Sequence, residues 1–307
     1  MPAPSGDQYE ITGGGYRAVV TESGAALRVL EYAGRPLVDG FGDDEISPGG
    51  RGQLLMPWPN RIRDGAYTFE GQDLQLALTE PSSHNASHGL VRWAAWSPEE
   101  HTTHSVSLTY RLMAQSGYPW TLDLHTVYDL SADGLTVTQT ATNLSPAPAP
   151  YASGAHPYLT VGPGPVDGWE LTLPASTRSL VDDRLLPVGR EDVAGTPYDF
   201  RMARPIRDVG FNDAFTDLDR DPQGIATTVL TDPVSGHGVV LWVDSAHTWL
   251  QLFSADDVPG TARRSLAVEP MTAQADAFRS GEDLVTLAPA GEDGDELSVS
   301  WGIRSQD

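Results

Sequence analysis

The stretch TLDLHTVYDLSADGLTVTQTATNL, residues 121–144, decides the fold class that the sequence predicts. In its first half the residues of one face are apolar or small and those between them are mostly polar; this face holds Leu122, Leu124, Thr126, Tyr128 and Leu130. Side chains of a β-strand alternate between two faces, so this repeat predicts a strand. Ser-Ala-Asp-Gly at 131–134 has the composition of a turn, and alternation resumes after it. The stretch therefore predicts a β-hairpin.

The same alternation continues on both sides of this hairpin. SVSLTYRL, residues 105–112, predicts the preceding strand. TTVLTDPVSGHGVVLWVD, residues 227–244, predicts a second hairpin that turns at Pro233–Gly236. LVTLAPAGEDGDELSVSWGIR, residues 284–304, predicts a third. The 24 prolines and 31 glycines of the chain supply the many turns that such a fold needs.

Helical periodicity is nearly absent, and only a short helix is predicted, around 263–266 or 274–279. No repeat, composition shift or long linker divides the chain, and the Pro/Ala-rich segment 145–150 lies between strand-like segments. We therefore expect an all-β fold, a large antiparallel β-sandwich, with residues 1–307 in a single domain.

Charge and composition exclude several classes of partner and chemistry. The 307 residues carry a formal net charge of −23, with 42 acidic residues against 19 basic ones, all of them arginine. Such a surface repels nucleic acid and anionic lipid, so neither is an expected partner. Without lysine or cysteine there is no Schiff base, P-loop, disulfide or thiolate nucleophile. The N-terminal sequence lacks signal-peptide character and no apolar run is long enough to span a membrane, so we expect a cytoplasmic protein.

Common short motifs of cofactor and metal sites are also absent. The sequence contains no G-x-G-x-x-G, H-E-x-x-H or G-x-S-x-G. DLDRDPQG, residues 217–224, begins like a calcium-binding loop, but Pro222 and Thr228 stand where glycine and glutamate are needed. We interpret this segment as a solvated acidic turn, and we expect no metal and no cofactor.

Five polar residues lie where strand-like segments meet turns, and each has an ordinary structural explanation. They are Arg61, His88, His156, Asp213 and Glu269, and Asn60 directly precedes Arg61. A lone arginine or histidine usually forms a structural contact, and an aspartate beside an asparagine usually forms a turn. Glu269 stands out because it ends the apolar run LAVEPM. A carboxyl group buried there needs partners or a raised pKa, as a general base has.

The ordered set of these segments resembles the aldose 1-epimerase, or mutarotase, family over nearly the whole chain. The matching segments are PWPNRIRDG, SSHNASHGLVRW, VTQTATNLSPAPAPYASGAHPYL, TPYDFRMARPIRDVGFNDAF and LAVEPMTAQADAFRSGEDLVTLAPAGE. The resemblance implies the galactose mutarotase-like fold, a β supersandwich with an open concave face, and a monosaccharide substrate. It implies that Glu269 is the catalytic base, His156 the catalytic acid and His88 a second active-site histidine. It also implies that Arg61 and Asp213, with Asn60, bind the sugar.

This sequence departs from the family pattern at three positions. Leu159 replaces the aromatic residue that usually ends the His-Pro-Tyr-Phe motif. Leu90 follows Gly89 where galactose-preferring members often have a second glycine, and Asp276 stands where asparagine is common. These departures leave the implied chemistry intact. They do not identify the preferred sugar, and the sequence does not identify the oligomeric state.

The implied reaction interconverts the α and β anomers of an aldose by opening and closing the sugar ring. A base removes the proton of the C1 hydroxyl while an acid protonates the ring oxygen, which suits a carboxylate and an imidazolium. Arg61 and Asp213 would anchor distant hydroxyls, and His88 would hydrogen-bond near the ring oxygen. Trp58 is a candidate for packing on the sugar, although a core position explains it equally well.

Three alternatives remain at this point. A hexose-6-phosphate 1-epimerase would need a cationic pocket, for which Arg201, Arg204 and Arg207 are the candidates. A glycoside hydrolase would use Asp213 and Glu269 as a carboxylate pair. A sugar-binding protein without catalytic activity would bind but not convert its ligand.

Overall fold

The computed structural model of the protein describes residues 3–306, and nearly all of its regular structure is β-strand. The strands are β1 (Gln8–Gly13), β2 (Tyr16–Thr21), β3 (Leu27–Tyr32), β4 (Arg35–Pro36), β5 (Arg61–Arg63), β6 (Ala66–Phe69), β7 (Gln72–Gln75), β8 (Asn85–Ser87), β9 (Ser97–His101), β10 (Ser105–Leu112), β11 (Leu122–Ser131), β12 (Gly134–Asn143), β13 (Ala149–Tyr151), β14 (Tyr158–Leu159), β15 (Glu170–Thr172), β16 (Ala175–Val181), β17 (Pro187–Asp192), β18 (Arg204–Pro205), β19 (Asn212–Leu218), β20 (Ala226–Thr231), β21 (Gly238–Val243), β22 (Trp249–Phe253), β23 (Leu266–Met271), β24 (Val285–Leu287) and β25 (Glu296–Gln306). The helical segments are α1 (Ala277–Ser280) and the 3₁₀ turns Pro48–Gly50 and Val166–Gly168.

Three larger sheets and three two-stranded ones make up the fold. A nine-stranded sheet has the order β18-β15-β20-β21-β25-β12-β11-β10-β9, and a six-stranded sheet has the order β14-β23-β22-β19-β16-β17. A four-stranded sheet contains β1 to β4, and the pairs are β13-β24, β5-β8 and β6-β7. One hydrophobic core contains buried side chains from all three larger sheets, such as Leu241, Leu252 and Ile11. The prediction of an all-β antiparallel sandwich is confirmed.

The first two predicted hairpins are confirmed. β11 pairs with β12 from Leu122 opposite Asn143 to Ser131 opposite Gly134, so the turn falls where the Ser-Ala-Asp-Gly sequence predicts it. Along β11 each second side chain is buried, as the alternation requires. β20 pairs with β21 from Ala226 opposite Val243 to Thr231 opposite Gly238. Alternation and turn composition together were enough to specify these neighbours.

The third predicted hairpin is wrong. β24 pairs with β13, and β25 lies between β12 and β21 in the nine-stranded sheet. Both edges of β25 are therefore hydrogen-bonded to other strands, and β24 has no edge of β25 to join. Alternation identifies a strand, but it does not identify the partner when a longer loop separates two segments.

One of the two candidate helices is present as a single turn. α1 covers Ala277–Ser280 and overlaps the predicted range 274–279, whereas residues 263–265 form a turn and bend that lead into β23 at Leu266. Asp276 and Gly281, which flank α1, both have left-handed backbone conformations. Between residues 3 and 306, no helix has the length and apolar character needed to cross a membrane.

The six-stranded sheet has a polar face on one side and an apolar face on the other. Gln251 on β22 is opposite Glu269 on β23, and Phe253 on β22 is opposite Asn212 on β19. Because side chains alternate along a strand, these four side chains share one face of the sheet. Leu252, the intervening residue of β22, belongs to the core on the other face. The fold thereby brings a carboxyl group and two amides to one surface.

Candidate active site

A cavity of about 300 Å³ lies on this polar face. Its size is at the lower end of the range of about 300–1,000 Å³ that small-molecule sites usually have. The sheet contributes one wall, and the loops around residues 47–50, 60–61 and 79–93 contribute the others. The lining residues are Ser47, Gly49, Gly50, Asn60, Arg61, Thr79, Glu80, Ser87, His88, Arg92, Trp93, His156, Tyr158, Asn212, Gln251, Phe253 and Glu269.

Glu269 and His156 form a direct contact at the buried side of this cavity. Glu269 Oε1 lies 3.3 Å from His156 Nε2, and the two side chains are only 3% and 7% exposed. The backbone of His156 is paired with the loop after residue 50, since its N–H donates to Gln53 and its carbonyl accepts from Gly52. Sequence therefore places the carboxyl on a strand and the imidazole on a segment held by backbone hydrogen bonds.

Burial shifts the pKa values of both groups toward their uncharged forms. Loss of hydration raises the pKa of Glu269 to about 8, while the positive charges of Arg61 and Arg92 act in the opposite direction. Loss of hydration, together with the charge of Arg92, lowers the pKa of His156 to about 3. Glu269 Oε2 and His156 Nδ1 have no hydrogen-bond partner within residues 3–306. The buried pair therefore has one oxygen and one nitrogen atom that make no hydrogen bond to another residue within 3–306.

His88 lies beside His156 in a defined tautomer. Its Nδ1 accepts a hydrogen bond of 3.1 Å from the backbone N–H of Asn60, which leaves the ring proton on Nε2 when the imidazole is neutral. The centroids of the two imidazole rings are 5.6 Å apart. Loss of hydration, followed by the nearby charge of His156, lowers the pKa of His88 well below its ordinary value. A neutral His88 that donates from Nε2 is the form that this arrangement supports.

The position of His88 depends on a tight backbone turn. His88 has a positive φ of 60°, and the next residue, Gly89, has a φ of 72°. A Cβ on Gly89 would lie 2.0 Å from the Met56 carbonyl oxygen, so only glycine fits there. The His-Gly order in the sequence is thus a structural requirement of this loop.

A chain of hydrogen bonds connects the polar groups along the cavity wall. Arg61 donates from Nε and Nη2 to the two carboxylate oxygens of Glu80, at 2.7 and 2.9 Å, and from Nη1 to Asn60 Oδ1 at 3.2 Å. Asn60 Nδ2 donates to Gln251 Oε1 at 3.1 Å. Gln251 Nε2 donates in turn to Asn212 Oδ1 at 3.3 Å. These bonds fix the orientation of each amide, which is what recognition of hydroxyl groups requires.

The structure does not bring Asp213 to this cavity. Asp213 lies opposite Leu252, on the apolar face of the six-stranded sheet. Its carboxylate lies 3.1 Å from Arg178 Nη1, and Arg178 also pairs with Glu191 at 2.7 Å. A shift of one residue along a strand moves a side chain to the other face. The preceding residue, Asn212, is the one that lines the cavity.

The other site residues predicted from the sequence lie either at the cavity or in the core. Asn60, Arg61, His88, His156 and Glu269 all line the one cavity. Trp58 does not; it is 3% exposed and packs against Phe278 with ring centroids 5.6 Å apart. A place in the core therefore explains Trp58.

The arginines considered for a phosphate pocket also lie outside the cavity. Arg201 pairs with Asp199 at 2.7 Å, and Arg204 lies over the Phe200 ring. Arg207 offers its carbonyl oxygen to Arg263. None of the three is among the lining residues.

Sequence reasoning missed two residues at the mouth of the cavity. Trp93 is 54% exposed, and its ring offers an apolar surface of the kind that packs against sugar rings. Arg92 is partly buried and its guanidinium lies over the Trp93 ring, with 5.5 Å between Cζ and the ring centroid; it forms no ion pair within residues 3–306. Their only signal in the sequence was their place at the end of the segment SSHNASHGLVRW, which contains His88. Within the described chain no group of three or more His, Asp or Glu side chains is arranged to hold a metal ion.

Comparisons with known proteins found a matching family model and similar proteins. The family model described as "Aldose 1-epimerase" matches residues 7–298. A protein of Escherichia coli K12 described as uncharacterized, YihR, is 35% identical over 284 residues, which cover 92% of this chain and 89% of that protein. A second uncharacterized protein of that strain, YphB, is 22% identical over 299 residues, with 95% and 99% coverage.

Solved structures share the fold. A structure described as a putative aldose 1-epimerase from Escherichia coli K12 matches with a TM-score of 0.83 and 20% identity, covering 98% of this chain and 99% of that one. A GalM/aldose epimerase homologue from C. elegans matches with a TM-score of 0.85 and 20% identity, with the same coverage. The galactose mutarotase-like fold, expected from the sequence, is confirmed.

Proposed function

Because the chain belongs to the aldose 1-epimerase family, we propose that it interconverts the α and β anomers of an aldose by general acid–base catalysis. The observation that carries this proposal is the buried contact of 3.3 Å between Glu269 and His156 in a cavity lined by hydrogen-bonding side chains. A base and an acid side by side are what ring opening needs. No step of this reaction requires a cofactor.

Ring opening transfers two protons and breaks one bond. Glu269, as the carboxylate, takes the proton of the C1 hydroxyl, and a carbonyl forms between C1 and that oxygen. The bond from C1 to the ring oxygen breaks, and His156, as the imidazolium, donates its Nε2 proton to the ring oxygen. Rotation about C1–C2 exposes the other face of the carbonyl. The two transfers then run in reverse and close the ring as the other anomer.

Glu269 and His156 need to hold only one proton between them for this cycle. A carboxylate with an imidazolium and a carboxylic acid with a neutral imidazole contain the same number of protons. Burial favours the uncharged combination, which is the state of the pair while the sugar is open. Arg61 and Arg92 oppose this effect at Glu269 and help the carboxylate to form when the cyclic sugar binds. The pair can thus work in both directions without proton exchange with water.

The remaining polar side chains position the sugar. His88, neutral and donating from Nε2, is placed to hydrogen-bond near the ring oxygen, beside His156. Arg61, Asn60, Gln251 and Asn212 form the connected wall that would hold the more distant hydroxyls. We assign the sugar-binding role first given to Asp213 to Asn212, because Asn212 is the residue that lines the cavity. Fixing the far hydroxyls holds C1 against the catalytic pair.

The direct test is the rate of anomer exchange, followed by polarimetry or by exchange NMR, above the spontaneous rate in the same buffer. The panel of sugars is glucose, galactose, xylose, arabinose and glucose 6-phosphate. The proposal predicts that the protein accelerates exchange of at least one free aldose. Tight binding of a sugar without acceleration would instead indicate a binding protein.

A second candidate, a hexose-6-phosphate 1-epimerase, gains support from Arg92. A partly buried guanidinium without an ion-pair partner among residues 3–306 can receive an anionic substituent of the sugar. This places the cation within the cavity, in contrast to Arg201, Arg204 and Arg207. Replacing Arg92 by methionine tests the idea. If the substrate is anionic, the kcat/KM for glucose 6-phosphate relative to glucose should fall by about tenfold or more, because hydrogen bonds to charged groups contribute about 1.5–3 kcal/mol.

The two carboxylates that a glycoside hydrolase would use as a pair, Asp213 and Glu269, do not lie together. Asp213 and Glu269 lie on opposite faces of the six-stranded sheet, as their partners Leu252 and Gln251 show. The other carboxylate that lines the cavity, Glu80, is held by both nitrogens of Arg61. Release of the aryl group from nitrophenyl glycosides is the measurement that would restore this alternative.

A further inference from the structure

No neighbouring residue within 3–306 gives His156 the Nδ1 hydrogen bond that usually orients a catalytic histidine. In most such sites the ring nitrogen away from the substrate donates to a carbonyl or carboxylate, which fixes the plane and the tautomer of the ring. His156 Nδ1 makes no hydrogen bond to another residue within 3–306. Contacts with the faces and edges of the ring must therefore hold the imidazole in the plane that directs Nε2 at Glu269.

Tyr158 provides the most extensive of these contacts. Its ring is stacked on the His156 ring, with centroids 4.9 Å apart and planes only 11° from parallel. Gly50 closes the edge of the imidazole, since a Cβ there would lie 3.2 Å from His156 Cδ2. His88 meets His156 edge to face. The flat face of Tyr158 is thus nearly parallel to the plane of the His156 ring.

Tyr158 is itself held by two further contacts. Its hydroxyl donates to the Gly49 carbonyl oxygen at 2.9 Å, and Arg51 Cζ lies 4.2 Å from its ring centroid. Arg51 is held by Asp39, at 3.1 Å, and by the carbonyl oxygen of Pro48. The result is a stack of three groups in contact, Arg51, Tyr158 and His156, and the loop that carries Arg51 also pairs with the backbone of His156 through Gly52 and Gln53.

The stack is also connected to the strand that carries Glu269. Asp39, which pairs with Arg51, accepts hydrogen bonds of 3.0 Å from Arg264 and 2.9 Å from Ser265. These two residues immediately precede β23, on which Glu269 lies. The carboxylate of Asp39 therefore links the support of the imidazole to the support of the carboxyl group.

We infer that Tyr158, clamped by Arg51, is a positioning residue that sets the plane of His156 in place of a hydrogen bond at Nδ1. This inference rests on the proposed function, because the benefit is a correctly aimed proton donor. Small errors in the position of a catalytic group can reduce the rate by about 100-fold. The role belongs to the aromatic face of Tyr158 and not to its hydroxyl.

Two substitutions separate the face from the hydroxyl. Tyr158→Phe keeps the ring, and its kcat should stay within about threefold of wild type; Tyr158→Met keeps apolar volume without a flat face, and its kcat should fall by about 10- to 100-fold. KM should change little in both variants. The matched control is Tyr128→Met, because Tyr128 is also fully buried and donates to a backbone carbonyl oxygen, that of Ala25, but lies outside the cavity.

The inference is overturned if folded Tyr158→Met keeps the wild-type kcat, or if Tyr158→Phe loses as much as Tyr158→Met. It is also overturned if Tyr128→Met loses kcat equally, since the effect would then be general loss of stability. Should Tyr158→Met not fold, Arg51→Met removes one side of the clamp and should lower kcat by about 3- to 10-fold. Unchanged kcat in that variant contradicts the inference.

An NMR measurement tests the positioning independently of activity. With ¹⁵N-labelled histidine rings, the His156 signals should keep their wild-type shifts in Tyr158→Phe and become shifted or broadened in the methionine variant. If wild type does not accelerate anomer exchange, the proposed function fails while this measurement still decides the positioning role. If wild type is active and the His156 signals are the same in all variants, only the positioning role fails.

Discussion

Glu269 Oε1 and His156 Nε2 lie 3.3 Å apart, and both side chains are almost completely buried. In water near neutral pH, a glutamate side chain is charged and a histidine side chain is partly charged. Here burial raises the pKa of Glu269 and lowers that of His156, so the uncharged pair with one shared proton is favoured. The first three predictions below follow from this relationship.

Replacing His156 by asparagine should remove the proton donor. Because a positioned acid or base contributes about 10²- to 10⁴-fold, kcat should fall by that factor while sugar binding changes little. Steady-state kinetics of anomer exchange is the measurement. His104→Asn is the matched control, since His104 is exposed and pairs with Asp129. Full activity of His156→Asn would move the acid role to His88.

The dependence of kcat/KM on pH should show a wide plateau. Below the lower limb the pair takes up a second proton, and the lowered pKa of His156 places this limb well under the ordinary histidine value of 6.5. Above the upper limb the pair loses its proton, which the raised pKa of Glu269 places near 8. Rates measured from about pH 4 to about pH 10, corrected for spontaneous exchange, test this. A fall centred near pH 6.5 would contradict the shared-proton account.

Glu269→Gln should become more stable than wild type as the pH rises. The pKa of Glu269 in the folded state lies above the ordinary value of 4.5, so wild type loses stability between that value and about pH 8. The glutamine side chain does not ionise and avoids this loss. Urea unfolding should show the variant gaining about 1–3 kcal/mol on wild type between pH 4 and pH 9. A constant difference between the two proteins would mean that Glu269 does not titrate as a buried acid.

Asn212 and Asp213 should have separable roles. Asn212→Ala should raise KM by about tenfold, the value of about one good hydrogen bond, with little effect on stability. Asp213→Asn should leave KM and kcat unchanged and lower the free energy of unfolding by about 1–2 kcal/mol, because Arg178 keeps Glu191 as a partner. A raised KM in Asp213→Asn would return the sugar-binding role to that residue.

The sequence predicted the fold well wherever a structural rule acts over a short distance. The hairpin of β11 and β12 followed from alternation and from the turn at 131–134. The pairing of β24 with β13 could not be predicted, because it joins segments far apart in the chain. Local composition carries no information on which strand edge is free to accept a distant segment.

The candidate site shows the same limit on a finer scale. Glu269 was identifiable because a carboxyl group in an apolar run is chemically unusual, and the family resemblance supplied its partners. The choice between Asn212 and Asp213 depends on strand register, because a shift of one residue exchanges the two faces of the sheet. The pattern of a single sequence does not determine this register to the exact residue. Tyr158 was not singled out in the sequence, and its contact with His156 depends on the tertiary arrangement. These residues could be assigned only from coordinates.

The measurement that tests the central claim most directly is anomer exchange in wild type and Glu269→Gln, followed by NMR with the best sugar of the panel. Glu191→Gln serves as the control, because its carboxylate pairs with Arg178 outside the cavity. The account predicts that wild type and the control accelerate exchange equally and that Glu269→Gln loses about 10²- to 10⁴-fold in kcat while still binding the sugar. Exchange at the wild-type rate in Glu269→Gln would contradict the account.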